Sequence, residues 1–258
     1  MDISALLLDV DGVLTQGNAA VPDAPAALRS LAERGVPFRI VTNTSQRSRA
    51  TLARRLNVLG FAVEPSTIFS PAVAAARYLT EHGQTAYLAT RDDVKSDFRE
   101  MGVALDDREP DVVVLGDLGE DLTYAELNHV LRYLLGGSEL VALGGTRYWH
   151  AADGPALDVG PFAALFAHAT GVTPRVLGKP DPAIFGEAAR ALGVRLDDLA
   201  MVGDDAEVDV GAAKRAGLGA GILVQTGKYR PGDEARHSPP PDAVYPSFPA
   251  FVQSYLER

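Results

Sequence analysis

The chain has 258 residues, 47% hydrophobic and 22% charged, which suits a folded globular protein and excludes a mainly disordered one. Acidic residues outnumber basic ones 34 to 24, and the net charge of −10 argues against a nucleic-acid backbone as partner. The absence of cysteine excludes disulfides, thiolate metal sites, iron–sulfur clusters and a cysteine nucleophile.

The chain opens with the apolar run Ala5-Leu6-Leu7-Leu8, which ends in Asp9-Val10-Asp11-Gly12. Continuous rather than alternating apolarity predicts a strand buried on both faces of a parallel sheet. A helix is expected over 25–34, stopped by Gly35. A second strand, 36–41, runs into Thr42-Asn43-Thr44-Ser45, and a second helix, 46–59, is stopped by Gly60. This β-α-β-α order predicts an α/β fold with a parallel sheet. The rhythm resumes with Asp181 as cap and Pro182 as first residue of a helix. A buried strand, 199–202, ends in Gly203-Asp204-Asp205, and a helix over 206–216 leads to a strand at 222–224. An edge strand at 243–245 and a helix over 248–256 close the chain.

Between these halves, four strands are expected at 85–89, 112–115, 140–143 and 175–177, with helices near 94–101, 124–135 and 162–169. That is enough for a small α/β domain inserted into a larger one. The expected boundaries are 1–80 and 177–258 for the core and 81–176 for the insertion. No apolar run approaches the ~18–20 residues of a membrane span. The first residues lack a signal-peptide core, so the expected location is the cytoplasm, with no membrane partner.

Two predicted strands end in paired acids, Asp9 with Asp11 and Asp204 with Asp205. Ligands of open parallel sheets bind outside the carboxyl ends of the strands. Asp9 and Asp11 are two apart, so an extended backbone would aim both the same way. A single Asp after a strand reads equally well as a loop residue or a helix cap. Two such clusters, with Thr42-Asn43 at a third strand end, are harder to explain so.

Taken in order, Asp9-Val10-Asp11-Gly12-Val13, Val41-Thr42-Asn43, Lys179, and Gly203-Asp204-Asp205 with Asp209 resemble the four motifs of the haloacid-dehalogenase superfamily. The insertion between the second and third resembles the C2-type cap of its NagD-like branch. Leu157-Asp158-Val159-Gly160-Pro161, Gly178-Lys179-Pro180 and Thr226-Gly227-Lys228-Tyr229-Arg230-Pro231 resemble a subgroup of phosphatases in that branch, whose second motif-one acid is often Ser; here it is Asp11. The resemblance implies a Rossmann-like core with an inserted cap, and a Mg²⁺-dependent phosphatase of a small phosphorylated compound: an ester, a phosphoramidate or pyrophosphate.

By the same resemblance, Asp9 is the nucleophile, Asp11 the general acid–base, and Lys179 a fixed positive charge beside the phosphate. Thr42, Asn43, Thr44 and Ser45 bind the phosphate oxygens, with the amides of Thr44 and Ser45 expected where a helix begins. Asp9, the carbonyl of Asp11, and Asp204 form an oxygen-only set suited to Mg²⁺, with Asp205 and Asp209 behind it. A possible homodimer through the cap is a further implication. Other readings stay open: a weakly active binding or regulatory protein, a metal-free haloacid-type hydrolase, or a phosphotransferase.

The five histidines show no ligand spacing, and only His150, after Arg147-Tyr148-Trp149, has a setting that could face a site. Asp158 reads more readily as the cap of a helix starting near Pro161 than as a substrate contact.

Overall fold

The computed structural model describes residues 3–151 and 154–257. These form two compact units. The first comprises Met1–Thr42, Leu52–Phe69 and Lys179–Arg258, and the second Asn43–Thr51 and Ser70–Gly178. The expected boundary at 80/81 falls inside the helix Pro71–His82, all of which belongs to the second unit.

The first unit is built on a six-stranded parallel sheet. Its order is Ala243–Tyr245, Ala220–Val224, Leu199–Gly203, Ala5–Leu8, Phe38–Val41, Ile68–Phe69. Every side chain of Ala5–Leu8 has zero exposure, as the unbroken apolar run predicts for a strand covered on both faces. On one side it pairs in parallel with Leu199–Val202, and on the other with Phe38–Ile40. From this strand the chain order runs outward in both directions. The switch point, where such folds open a crevice, therefore lies between the ends of Ala5–Leu8 and Leu199–Gly203.

Leu28 and Leu31 of the helix Ala24–Glu33 and Phe248, Phe251 and Val252 of the helix Phe248–Leu256 join Leu6, Leu8, Ile40 and Val202 in one apolar cluster. The helix Pro182–Leu192 packs on the strand Phe38–Val41. Asp181 caps that helix as expected, accepting the N–H of Ala183 at 2.8 Å.

The second unit has its own four-stranded parallel sheet, ordered Arg175–Val176, Glu139–Ala142, Val112–Leu115, Ala86–Ala89. The strand Val112–Leu115 is fully buried, with one apolar cluster built on Val112 and Val114 and another on Val113 and Leu115. A separate antiparallel hairpin pairs Tyr148–Ala151 with Gly154–Leu157. No helix among the described residues is long and apolar enough to cross a membrane.

Two predicted helices take a different form. The one expected from residue 46 begins at Arg49. Its first amides are claimed by acids of the helix Asp92–Glu100: Ser48 N–H bonds Asp93 Oδ2 at 2.8 Å, and Arg49 N–H bonds Asp97 Oδ2 at 3.1 Å. The amides of Thr44 and Ser45 thus precede the helix start by several residues, contrary to expectation. The helix expected over 206–216 is a π-type turn, Ala206–Gly211, followed by one α-turn, Ala212–Arg215. Asp205 Oδ1 accepts the N–H groups of both Glu207 and Val208, and Asp209 Oδ2 accepts the N–H of Asp205. These side-chain bonds to the backbone compete with the ordinary helical ladder at this end.

Candidate active site

The central strand delivers Asp9 to the switch point, where its N–H continues the ladder to Val202 O at 3.0 Å. Asp9 is 8% exposed, Asp204 3%, Asp209 2% and Lys179 5%, so this is a buried charge cluster rather than a solvated face. Lys179 Nζ lies 2.5 Å from Asp9 Oδ1 and 2.7 Å from Asp209 Oδ1. Asp9, Asp204 and Asp209 each present an oxygen, all within 4.8 Å of one another.

Two of these buried carboxylates, Asp9 and Asp209, share one ammonium, the third, Asp204, lies beside them, and their proton affinities reflect the crowding. Burial raises the pKa of Asp9, Lys179 opposes the rise, and Asp11 adds to it. Asp204 is pushed up to about 8 by burial and by the nearby charges of Asp9 and Asp209. Asp209 is pushed up to about 6, chiefly by burial, against the pull of Lys179. Burial favours loss of the Lys179 proton, but Asp209 and Asp9 outweigh it and hold the ammonium above its usual range.

This excess of negative charge, presented only through oxygen, fits a hard divalent cation such as Mg²⁺. The oxygens are not equally available. Asp209 spends Oδ1 on Lys179 and Oδ2 on the N–H of Asp205 at 3.2 Å. Asp204 spends Oδ2 on the N–H of Lys228 at 2.6 Å. Asp205 is occupied as the cap of the π-turn, with Lys228 Nζ 3.7 Å from its other oxygen.

Asp11 is exposed, and its carboxylate lies outside the three-acid cluster, with Oδ1 accepting the Thr15 hydroxyl at 3.4 Å. Thr42 is buried at the end of Phe38–Val41, its N–H on Phe69 O at 3.0 Å. Asn43, Thr44 and Ser45 belong to the second unit, where Ser45 Oγ accepts the N–H of Asp117 at 3.3 Å and Gln46 Nε2 donates to Asp117 Oδ2 at 2.6 Å. Asp158 caps the helix Val159–Thr170, accepting the N–H of Val159 at 2.8 Å. The side chain of His150 lies outside the described residues. Sequence reasoning gave the loop 226–228 no role at the site. The segment Thr226–Pro231 carries part of the family resemblance, but neither that nor its spacing connects it to Asp204.

Comparison with known proteins shows the family and the fold. Residues 6–104 match the profile of the family described as haloacid dehalogenase-like hydrolase, and residues 176–251 match a second hydrolase profile of the same kind. The human haloacid dehalogenase-like hydrolase domain-containing protein 2 is 40% identical over 257 residues, 99% of this chain and 97% of its own. Human phospholysine phosphohistidine inorganic pyrophosphate phosphatase is 37% identical over 238 residues, 90% of this chain and 86% of its own. Among solved structures, the p-nitrophenyl phosphatase of Archaeoglobus fulgidus gives a TM-score of 0.91 at 29% identity, over 98% of this chain and 100% of that one. NagD from E. coli K-12 gives 0.88 at 26% identity, over 96% and 98%.

An α/β hydrolytic enzyme with a NagD-like fold is the class so defined. The chain belongs to the haloacid dehalogenase-like hydrolase family.

Proposed function

We propose that the chain is a Mg²⁺-dependent phosphatase that hydrolyses a small phosphate ester, phosphoramidate or pyrophosphate through a phosphorylated Asp9. The observation that carries this reading is the Lys179–Asp9 pair at 2.5 Å, set beside Asp204 at the switch point of the sheet. Relatives named as phosphatases support it.

In the proposed reaction an oxygen of Asp9 attacks phosphorus as the bond to the leaving group breaks, and Asp11 passes its proton to the leaving atom. Asp11 then takes a proton from water, the water oxygen attacks phosphorus, and the Asp9–phosphorus bond breaks to release phosphate. The exposure of Asp11 suits a group that must meet both a leaving atom and a water. Lys179 offsets the charge of Asp9 as the anion approaches, and Asp209 holds Lys179 in place. Thr42 donates its hydroxyl to the phosphate. Asp9, Asp204 and the carbonyl of Asp11 would hold Mg²⁺, which supplies charge neutralisation at the phosphate oxygens. Asp205 and Asp209 stand behind these ligands.

In the second unit, Tyr148 and Leu157 pair across the hairpin, 52% and 60% exposed, and supply an apolar face for the proposed homodimer.

Turnover of p-nitrophenyl phosphate with Mg²⁺ and with EDTA tests the reading. Hydrolysis that depends on Mg²⁺ is expected. Full activity in EDTA would remove the metal from the mechanism, and no turnover of any phosphorylated compound in a broad panel would remove the phosphatase.

A further inference from the structure

The loop after the strand Ala220–Val224 returns to the acid cluster, and three of its features converge on one carboxylate. The N–H of Lys228 donates to Asp204 Oδ2 at 2.6 Å. Gly227, at φ +67°, lies so close that a Cβ would fall 2.0 Å from that same oxygen and 2.5 Å from the Cα of Gly12. Thr226 donates its hydroxyl to the carbonyl of Gly12. Gly12, at φ +84°, has a Cβ position that is likewise 2.0 Å from Asp204 Oδ2. The carboxylate of Asp204 is therefore enclosed by two glycines, one from each loop, and the Thr226 hydroxyl ties those loops together. Its Oδ1 accepts no hydrogen bond from any described residue.

We propose that residues 226–228 are a positioning clamp that spends Oδ2 of Asp204 and so restricts this side chain to holding a cation through Oδ1 alone. The proposal rests on the reading of Asp204 as a metal ligand and extends it to metal choice. A carboxylate limited to one oxygen suits the strict octahedron of Mg²⁺, whereas Ca²⁺ takes 6–8 oxygens and often gathers two from one carboxylate. Fixing the side chain in advance also removes the entropy that a free rotamer would lose on binding.

Titration calorimetry of Mg²⁺ and Ca²⁺ into the purified full chain tests the clamp without reference to turnover. Gly227→Ala should weaken Mg²⁺ binding by roughly 10–100-fold, the range for losing a group that orients a metal ligand. The ratio of Ca²⁺ to Mg²⁺ affinity should rise, because Oδ2 is released. Thr226→Val should lower Mg²⁺ affinity by roughly tenfold. Thr226→Ser, which restores the hydroxyl, should recover it, and this pair decides the matter even if Gly227→Ala fails to fold. Wild-type Mg²⁺ affinity and an unchanged metal ratio in Thr226→Val would overturn the clamp while leaving the metal reading intact. No Mg²⁺ binding by the wild type would overturn both.

Discussion

Lys179 and Asp9 meet at 2.5 Å although 170 positions separate them, and the ammonium also touches Asp209 at 2.7 Å. One buried cation therefore serves the proposed nucleophile and a second acid behind it. Replacing Lys179 with Met should lower turnover by roughly 10²–10³-fold, the usual cost of losing one preorganised electrostatic group. Because the ammonium acts on charge at the phosphate, the deficit should persist at saturating Mg²⁺. Steady-state kinetics over a Mg²⁺ series checks this; recovery at high Mg²⁺ would reassign Lys179 to metal binding.

Asp9→Asn should abolish turnover, since an amide cannot attack phosphorus, and beryllium fluoride should then find no carboxylate to mimic a phosphorylated state. Substantial residual turnover in the purified variant would sink the covalent route.

Asp11→Asn should leave the fold intact, because the side chain is exposed. It should slow esters with poor leaving groups by about 10²–10⁴-fold, the usual worth of general acid–base help, and p-nitrophenyl phosphate far less. Equal losses for the two ester types would show that Asp11 does not protonate the leaving group.

The acid cluster also predicts how the metal-free protein responds to pH. Asp204 titrates near 8 and Asp209 near 6 when folded, against an ordinary value of 3.8. The folded state therefore holds protons that the unfolded chain has released, so stability falls as pH rises through that window and the loss is complete above the folded values. In EDTA, the urea midpoint should drop between about pH 5 and pH 8.5, and Asp204→Asn should flatten the upper part of the slope. A midpoint that climbs over this range, or a slope indifferent to Asp204→Asn, would contradict the charge crowding described.

In the second unit, Asp97 is 1% exposed and accepts both the N–H and the Nε–H of Arg49. Asp97→Ala should cost about 3 kcal/mol of stability, because it removes the buried carboxylate and leaves the mostly buried guanidinium only its 3.5 Å contact with Glu100. Urea denaturation reads this directly; a loss under ~1 kcal/mol would mean that solvent screens the pair.

The proposed catalytic residues were legible because each strand of the switch point announces itself twice, as an apolar run and as the acid that ends it. Asp9 follows Ala5–Leu8 and Asp204 follows Leu199–Gly203, so no tertiary information was needed to list them. Other elements gave weaker signals. Ile68–Phe69 is a strand of two residues, too short to show any period. The helix Pro71–His82 carries a Ser70 cap and a Pro at its start, yet its run of alanines blurs the apolar stripe. In the paired strands Tyr148–Ala151 and Gly154–Leu157, the large apolar side chains of Tyr148, Trp149 and Leu157 are exposed, so no buried apolar stripe marks them in the sequence. The late start of the helix Arg49–Val58 was out of reach, since Asp93 and Asp97 lie more than 40 positions away.

The pairing of Ala5–Leu8 with Leu199–Val202 has a cost during synthesis. The first strand leaves the ribosome about 190 residues before its partner (Leu8 to Leu199), which at ~5–20 residues per second is roughly 10–40 s. Throughout that interval four wholly apolar side chains have one sheet edge with no native neighbour. The second unit draws its sheet from a nearly continuous stretch and can close while the first waits. The nascent chain is thus most exposed to chaperones and to misassociation at the strand Ala5–Leu8, where Asp9 and Asp11 set charges directly beside the apolar run, the placement that limits aggregation of unavoidable hydrophobic strands.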